Sequence, residues 1–127
     1  MPYKNPTDIQ KFVTLWLAAW TGNRPDLLLS FYDPDAYYRD PVAPQGLRGH
    51  QEIQPYFSKL LAKNPDWIWS AQEVIPTEKG FVLKWLAKIP TQDRIYAEEG
   101  LDIVELNNKG KITRNEVFFD RSGFVKK

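Results

Sequence analysis

Apolar residues recur at helical spacing near the start of the chain, and this predicts one long helix with an apolar stripe. Thr7 and Gln10 have the spacing of a capping box ahead of the stripe. Gly22 is the expected end of the helix, because glycine readily adopts the conformation that terminates helices. The stripe consists of Ile9, Phe12, Trp16 and Trp20.

Two more helices are predicted before residue 66. The stretch NRPDLLLSFY has Asn23 as a capping residue and Pro25 early, which favours a second, short helix. Between His50 and Lys63 the helical period returns. Pro55 is expected to kink or delay this third helix, since it cannot donate to the backbone ladder. The apolar positions of this helix are Ile53, Phe57, Leu60 and Leu61.

The remaining segments have the composition of strands. AYYRD, residues 36–40, predicts a short strand, and the proline-rich PVAPQG after it predicts a loop. After residue 66, turn segments separate four stretches rich in β-branched and aromatic residues, which indicates an antiparallel meander. Helices first and strands last predict an α+β fold with helices on one face of a curved sheet. The four stretches are WIWSAQEVI, FVLKWLAKI, IYAEEGLDIVEL and KITRNEVFFD.

Composition narrows the class of protein. A chain of 127 residues predicts one domain over residues 1–127. Seventeen basic and sixteen acidic residues nearly cancel and are scattered, so no nucleic-acid partner is expected. Cysteine is absent and His50 is the single histidine, so no metal site is predicted, although an all-carboxylate magnesium site stays open as the alternative. No segment has membrane-spanning length and the first residues lack an apolar leader, which predicts a soluble cytoplasmic protein without a membrane partner.

The order of these elements and four motifs resemble the SnoaL-like branch of the nuclear transport factor 2-like superfamily. The motifs are FYDPDAYYRDP, RGHQEI, GLDIVEL and GKITRNEVFFD, and the similarity covers almost the whole chain. The resemblance implies a cone-shaped, strongly curved, mostly antiparallel sheet wrapped around N-terminal helices, with an internal apolar pocket. It does not select one activity, because this fold hosts isomerases, cyclases, dehydratases, hydrolases and non-catalytic subunits.

Ketosteroid isomerase is the nearest enzyme comparison within that superfamily. The resemblance implies Asp40, directly before a proline at the end of the first strand, as the general base. It implies Asp102, eight residues before a glycine at a hairpin turn, as a protonated oxyanion donor. The tyrosine that the isomerase carries on its first helix corresponds to Trp16, whose N–H is a weaker acid. Tyr32 or Tyr38 is the alternative source of a hydroxyl.

Other activities of the superfamily fit this chain less well. Aligned on GKI, the last-strand acid of limonene epoxide hydrolase falls at Val117. SnoaL-type polyketide cyclases likewise place an essential aspartate on that strand. Scytalone dehydratase needs histidines inside its pocket, whereas His50 is predicted at a helix start.

Strand alternation gives an independent reason to pair the two acids. Tyr38 and Asp40 share one face of the first predicted strand, and Asp102 shares a face with Gly100 and Val104. If both faces point at the helices, two carboxyls in one cavity can divide into a base and a neutral donor. The structural alternative is that Asp40 only accepts backbone hydrogen bonds in the following loop and Asp102 only pairs with a strand neighbour.

Aromatic and apolar residues on the same faces are predicted to line the pocket, with one amide as a polar contact. Trp16 and Trp20 are equally compatible with a core role, because they share the apolar stripe of the first helix. The candidate substrate-binding residues are Trp16, Trp20, Tyr32, Tyr38, Phe57, Trp85, Asn115, Val117 and Phe119.

Two functional hypotheses follow. The first is a cofactor-independent isomerase, or a related acid–base catalyst, that acts on a small hydrophobic carbonyl compound. The second is a small-molecule-binding or protein-association domain without chemistry. A homodimer through the convex face of the sheet is expected in both cases. Trp67 and Trp69 share a strand face, and they would support association if that face is the convex one.

Overall fold

A computed structural model describes residues 6–120 of the chain. This part contains three helices and six strands. In chain order the elements are α1 (Pro6–Ala18), α2 (Pro25–Leu29), β1 (Tyr32–Asp40), β2 (Ala43–Arg48), α3 (Gly49–Lys63), β3 (Ile68–Pro76), β4 (Gly80–Pro90), β5 (Ile95–Leu106) and β6 (Ile112–Phe119).

All six strands belong to one curved sheet with the order β2-β1-β6-β5-β4-β3. The strands β3 to β6 form the predicted antiparallel meander, in which each strand pairs with the next along the chain. β1 pairs with β2 in the antiparallel sense and with β6 in the parallel sense. The predicted α+β class with a mostly antiparallel curved sheet is therefore confirmed.

The core lies between the helices and the concave face of the sheet. On β4 the predicted inner face, from Phe81 to Ile89 at every second residue, is buried, whereas Lys84 and Lys88 are exposed. The rings of Phe12 and Phe81 approach to 5.9 Å between α1 and β4. This packing explains why the sequence alternates along β4 but follows the helical period along α1.

The helices differ from the prediction at their ends. α1 ends at Ala18, so Trp20 lies in the following turn, although it remains buried. α1 begins at Pro6, one residue before the predicted cap, and the side chain of Thr7 lies outside the described part. α3 runs through Pro55 without ending there.

The predicted loop after β1 is a strand, and that prediction was wrong. β2 pairs with β1 in a hairpin, with Tyr37 opposite Arg48 and Asp40 opposite Ala43. As an edge strand it has one partner only, and edge positions tolerate proline. Gly46 has a φ of +84°, and a side chain there would collide with the ring of Tyr37.

Trp67 and Trp69 lie on the inner side of the sheet. They are therefore not on the convex face, where they would have supported association of two chains. The ring of Trp69 is 6.1 Å from that of Trp20. Ile68, between the two tryptophans, is 57% exposed. Because the tryptophans face the helices, they line the internal cavity instead of a docking surface.

The outer face of the sheet carries charged and apolar side chains side by side. Arg114 lies 3.0 Å from Glu105 and 2.7 Å from Glu116. Leu101 and Phe118 are exposed between these charges. Pairing of two chains through this face stays a prediction, which the sedimentation behaviour of the protein in solution tests. Among the described helices, none combines the length and apolar composition required to cross a bilayer.

Candidate functional site

A cavity of about 300 Å³ opens between α1, α3 and the concave face of the sheet. Its wall is mostly aromatic and aliphatic, and both predicted acids contribute to it. The exposed Lys63 lies where α3 ends. The lining residues are Leu17, Trp20, Tyr38, Asp40, Val42, Tyr56, Leu60, Lys63, Asn64, Trp67, Trp69, Trp85, Asp102, Val117 and Phe119.

Asp40 ends β1 and is surrounded by hydrogen-bond donors. Its Oδ1 accepts the backbone N–H groups of Val42 and Ala43, each at 2.9 Å. Its Oδ2 accepts the hydroxyl of Tyr38 at 2.7 Å. The hydroxyl of Tyr56, from α3, lies 2.9 Å from Oδ1 and 2.7 Å from Oδ2. The carboxylate is 5% exposed, and these donors fix its orientation in the wall.

Asp102 lies in the middle of β5 and has a drier environment. It is 4% exposed, and its Oδ1 accepts the indole N–H of Trp85 at 3.0 Å. Burial raises the pKa of Asp102 to about 7, against the lowering effect of hydrogen bonds from Trp85 and Asn115. The charge of Asp40 raises it further. Near neutral pH this carboxyl is therefore protonated in a substantial fraction of molecules.

Strand register places the two acids on either side of β6. Asp102 lies opposite Val117 on β6, and Arg39 on β1 lies opposite Glu116. One residue further along β1, Asp40 reaches the level of Val117. Two strand spacings then separate the Cα atoms of the acids by roughly 10 Å. A small molecule in the cavity can therefore contact both carboxyl groups.

Trp85 reaches Asp102 because the neighbouring strand position carries no side chain. Gly100 lies opposite Trp85 on β5, and a Cβ at Gly100 would overlap the indole ring. The indole thus lies against the backbone of β5 and directs its N–H at Asp102 two residues along. The glycine in GLDIVEL is explained by this close approach.

A buried chain of polar groups lies behind the cavity wall. The indole N–H of Trp16 donates to the hydroxyl of Tyr32 at 3.3 Å, and that hydroxyl donates to Oδ1 of Asn115 at 2.8 Å. Burial raises the pKa of Tyr32 well above its usual range. The chain ends beside Asp102, to which Asn115 provides a hydrogen bond. Each of these polar groups therefore has a hydrogen-bond partner inside the core.

Four predicted contacts are not among the residues that line the cavity, and their role in ligand binding stays a prediction. Each is fully buried in the core behind the wall. Helical and strand periodicity identify a buried face but do not separate its surface from the layer behind it. The four residues are Trp16, Tyr32, Phe57 and Asn115.

The other predicted residues do line the cavity, together with several that the sequence analysis missed. Trp20, Tyr38, Trp85, Val117 and Phe119 belong to the wall beside the two acids. The most consequential omission is Tyr56, because its hydroxyl contacts both oxygens of Asp40. Tyr56, Leu60 and Lys63 share a helical spacing on α3, so the helical period could have identified them.

Within residues 6–120, no three His, Cys, Asp or Glu side chains are grouped so that they could hold a metal ion. What the described cavity offers a ligand is a set of apolar surfaces, two carboxyl groups and the hydroxyl of Tyr56, whereas the buried hydroxyl of Tyr38 is donated to Asp40. Groups of this kind bind and orient a ligand, and the carboxyl groups transfer protons to or from it.

A profile of the SnoaL-like domain matches residues 13–115, a range that includes both acids and Tyr56. The chain belongs to the SnoaL-like family. A steroid Delta-isomerase of Nocardioides simplex is 23% identical to it over 112 residues, covering 88% of this chain and 89% of the isomerase. The matched range includes every residue that lines the cavity except Val117 and Phe119.

Solved structures agree with this SnoaL-like fold. A SnoaL-like protein of unknown function from Burkholderia thailandensis E264 matches with a TM-score of 0.76 at 15% identity, over 93% of this chain and 99% of its own. SalBIII, an epoxide hydrolase/cyclase-like enzyme of pyran ring formation in the polyether salinomycin, matches with a TM-score of 0.77 at 15% identity. That match covers 93% of this chain and 95% of SalBIII. At these identities the structures establish the fold alone.

The donors that the sequence analysis considered in place of the isomerase tyrosine are used within the protein. Trp16, which the resemblance aligns with that tyrosine, directs its N–H at Tyr32 in the core. The hydroxyl of Tyr32, one of the two predicted substitutes, is directed at Asn115. Tyr38, the other substitute, donates to Asp40. In this structure, neither Trp16 nor Tyr32 offers a donor to a ligand in the cavity.

Proposed function

We propose that this SnoaL-like domain transfers a proton at the carbon next to the carbonyl group of a small hydrophobic compound. The observation that carries the proposal is that two buried carboxyls in different environments line one apolar cavity. The similarity to a steroid Delta-isomerase supports isomerase-type chemistry in general terms.

The two acids have separate roles in the proposed reaction. Asp40 accepts the proton from the α-carbon, and the electron pair of the broken C–H bond forms an enolate. Asp102 in its neutral form donates a hydrogen bond to the enolate oxygen, which stabilises the developing charge. The raised pKa of Asp102, about 7, is what keeps this donor available near neutral pH.

The size of the cavity limits the ligand. A cavity of about 150 Å³ holds a benzene molecule, so the 300 Å³ found here encloses roughly twelve non-hydrogen atoms. The enclosed part of the ligand is therefore a one- or two-ring ketone. A larger ligand must extend through the open end of the cavity.

Exchange of α-protons with solvent tests this function without knowledge of the natural substrate. β-Tetralone, a two-ring ketone of suitable size, is incubated with the protein in D₂O, and loss of its α-proton signals is followed by NMR. The wild type is expected to accelerate exchange. Asp40→Asn is expected to lose about 10²- to 10⁴-fold of that rate, because the amide cannot accept the proton.

Binding is measured separately with β-naphthol, which resembles the enol of β-tetralone. The cavity contains four tryptophans, so their fluorescence reports occupancy. Asp40→Asn should still bind β-naphthol. An exchange rate in Asp40→Asn equal to that of the wild type would refute the assignment of Asp40 as base.

Ligand binding without chemistry is the second candidate. It is favoured by the observation that Asp40 is fully supplied with donors, as a structural carboxylate would be. In this case the wild type binds β-naphthol but does not accelerate exchange, and Asp40→Asn lowers the melting temperature without any other loss.

A further inference from the structure

The proposed base has no vacant acceptor position in the structure. An ionised carboxylate offers about four lone-pair positions. Four groups donate to Asp40, namely the N–H groups of Val42 and Ala43 and the hydroxyls of Tyr38 and Tyr56. For Asp40 to accept a proton from a ligand, one of these donors has to leave.

Three of the four donors are held in place. The N–H groups of Val42 and Ala43 belong to the β1–β2 connection, where Ala43 pairs with Asp40 across the hairpin. Tyr38 is 1% exposed, and its ring packs 5.2 Å from that of Phe57. Moving any of these groups would disrupt the sheet or the core.

Tyr56 differs from the other donors in position and geometry. It is only half-buried and lines the cavity from α3, so its hydroxyl can turn towards a ligand. Its oxygen lies between both oxygens of Asp40, at 2.9 and 2.7 Å. A single hydroxyl proton cannot form two full hydrogen bonds at once, which makes this donor the one most easily exchanged.

We propose that Tyr56 is a catalytic residue whose hydroxyl moves from Asp40 to the carbonyl oxygen of the bound ligand. This inference rests on the proposed function. The movement exposes Oδ2 of Asp40 to the α-carbon. It also provides the phenol that the first helix lacks, because Trp16 donates to Tyr32 in the core.

The proposed step needs no further reactant. The α C–H bond breaks, the proton goes to Oδ2 of Asp40, and the electron pair forms the carbon–carbon double bond of the enolate. The negative charge on the ligand oxygen is held by hydrogen bonds from Tyr56 and from neutral Asp102. Return of the proton from Asp40 to carbon regenerates a ketone and the carboxylate.

Tyrosine-to-phenylalanine variants at three positions test the assignment. Tyr56→Phe is expected to lower kcat for β-tetralone exchange about a hundredfold or more and to weaken β-naphthol binding, because a donor to the ligand oxygen is lost. Tyr38→Phe also removes a donor from Asp40, but it should leave the affinity for β-naphthol at the wild-type value. Tyr37→Phe, on the opposite face of β1, is the matched control and should exchange like the wild type.

The outcomes separate this inference from the proposed function. Equal losses of kcat in Tyr56→Phe and Tyr38→Phe, with unchanged β-naphthol affinity in both, would show that Tyr56 only orients Asp40. Wild-type kcat in Tyr56→Phe would also overturn the inference while Asp40 remains the base. Failure of the wild type to exchange β-tetralone would overturn the proposed function itself.

A second measurement covers the case in which Tyr56→Phe does not fold. Fluorotyrosine is placed at position 56 of the full chain, and its fluorine resonance is recorded during addition of β-naphthol. A shift that saturates together with the tryptophan fluorescence supports a direct contact. An unchanged resonance at saturating β-naphthol would contradict it.

Discussion

The two carboxyl groups of the cavity are chemically identical but lie in opposite backbone environments. Asp40 stands at the end of β1, where the following turn leaves the N–H groups of Val42 and Ala43 available to it. Asp102 stands in mid-strand between β4 and β6, where the sheet already uses the backbone groups. Only side chains can then solvate Asp102, and the hydrogen bond from Trp85 is the closest of these contacts.

The comparison teaches that position along a strand determines how a buried acid is stabilised. A strand-end carboxylate receives backbone donors and stays a well-solvated acceptor. A mid-strand carboxyl loses its contact with water and gains no backbone donors in exchange. Its neutral form is therefore favoured. One sheet can thus present two aspartates with different hydrogen-bond donors to the same ligand.

The largest expected effect of this difference is on the pH dependence of stability. Asp102 has a pKa of about 7 in the folded protein and about 4 in the unfolded chain. Between these values the folded state keeps a proton that the unfolded state releases. The free energy of unfolding therefore falls as pH rises from about 4 to about 8, by roughly 4 kcal/mol for this group.

Asp102→Asn isolates that contribution, because the amide has the same shape and does not ionise. Urea unfolding of both proteins at several pH values gives the difference between their free energies of unfolding. The variant should gain stability relative to the wild type as pH increases. A difference that does not change with pH would mean that burial does not raise the pKa of Asp102, and the comparison would fail.

Gly100→Ala is expected to have a smaller effect, confined to the Asp102 side of the cavity. The added Cβ would overlap the indole of Trp85, so the ring must move and its N–H leaves Asp102. Crowding of this kind costs about 1–3 kcal/mol. Thermal unfolding measures the loss.

Gly22→Ala, on an exposed turn with a φ of +92°, provides a comparison in which backbone strain alone acts. Stability equal to the wild type in Gly100→Ala would show that Trp85 is not held against β5.

Much of the inner face could be predicted from sequence because alternation is a local property. Phe81 to Ile89 on β4 face inwards as predicted, and so do Asp40 and Asp102. The orientation of Trp67 and Trp69 could not be obtained in this way. Trp69 lies near the start of β3, and Trp67 directly precedes that strand. A register shift between Ala71 and Glu73 reverses the alternation along β3.

Two other features depend on long-range contacts. The last four residues of PVAPQG become part of β2 only because β1 offers them a partner, since Pro44 and Gly46 disfavour a strand by themselves. The contact between Tyr56 and Asp40 joins α3 to β1 across sixteen residues. The helical spacing between Tyr56 and Leu60 could be identified in the sequence. The hydrogen bond between Tyr56 and Asp40 could not.

The central claim is that burial raises the pKa of Asp102 to about 7 while this carboxyl shares its cavity with Asp40. Carbon-detected NMR titration of the Asp102 side-chain carboxyl tests this most directly, in the wild type and in Asp40→Asn. The account predicts a pKa of about 7 in the wild type and a lower value in the variant, because the negative charge of Asp40 raises it. A wild-type pKa near 4, unchanged by the substitution, would contradict the account.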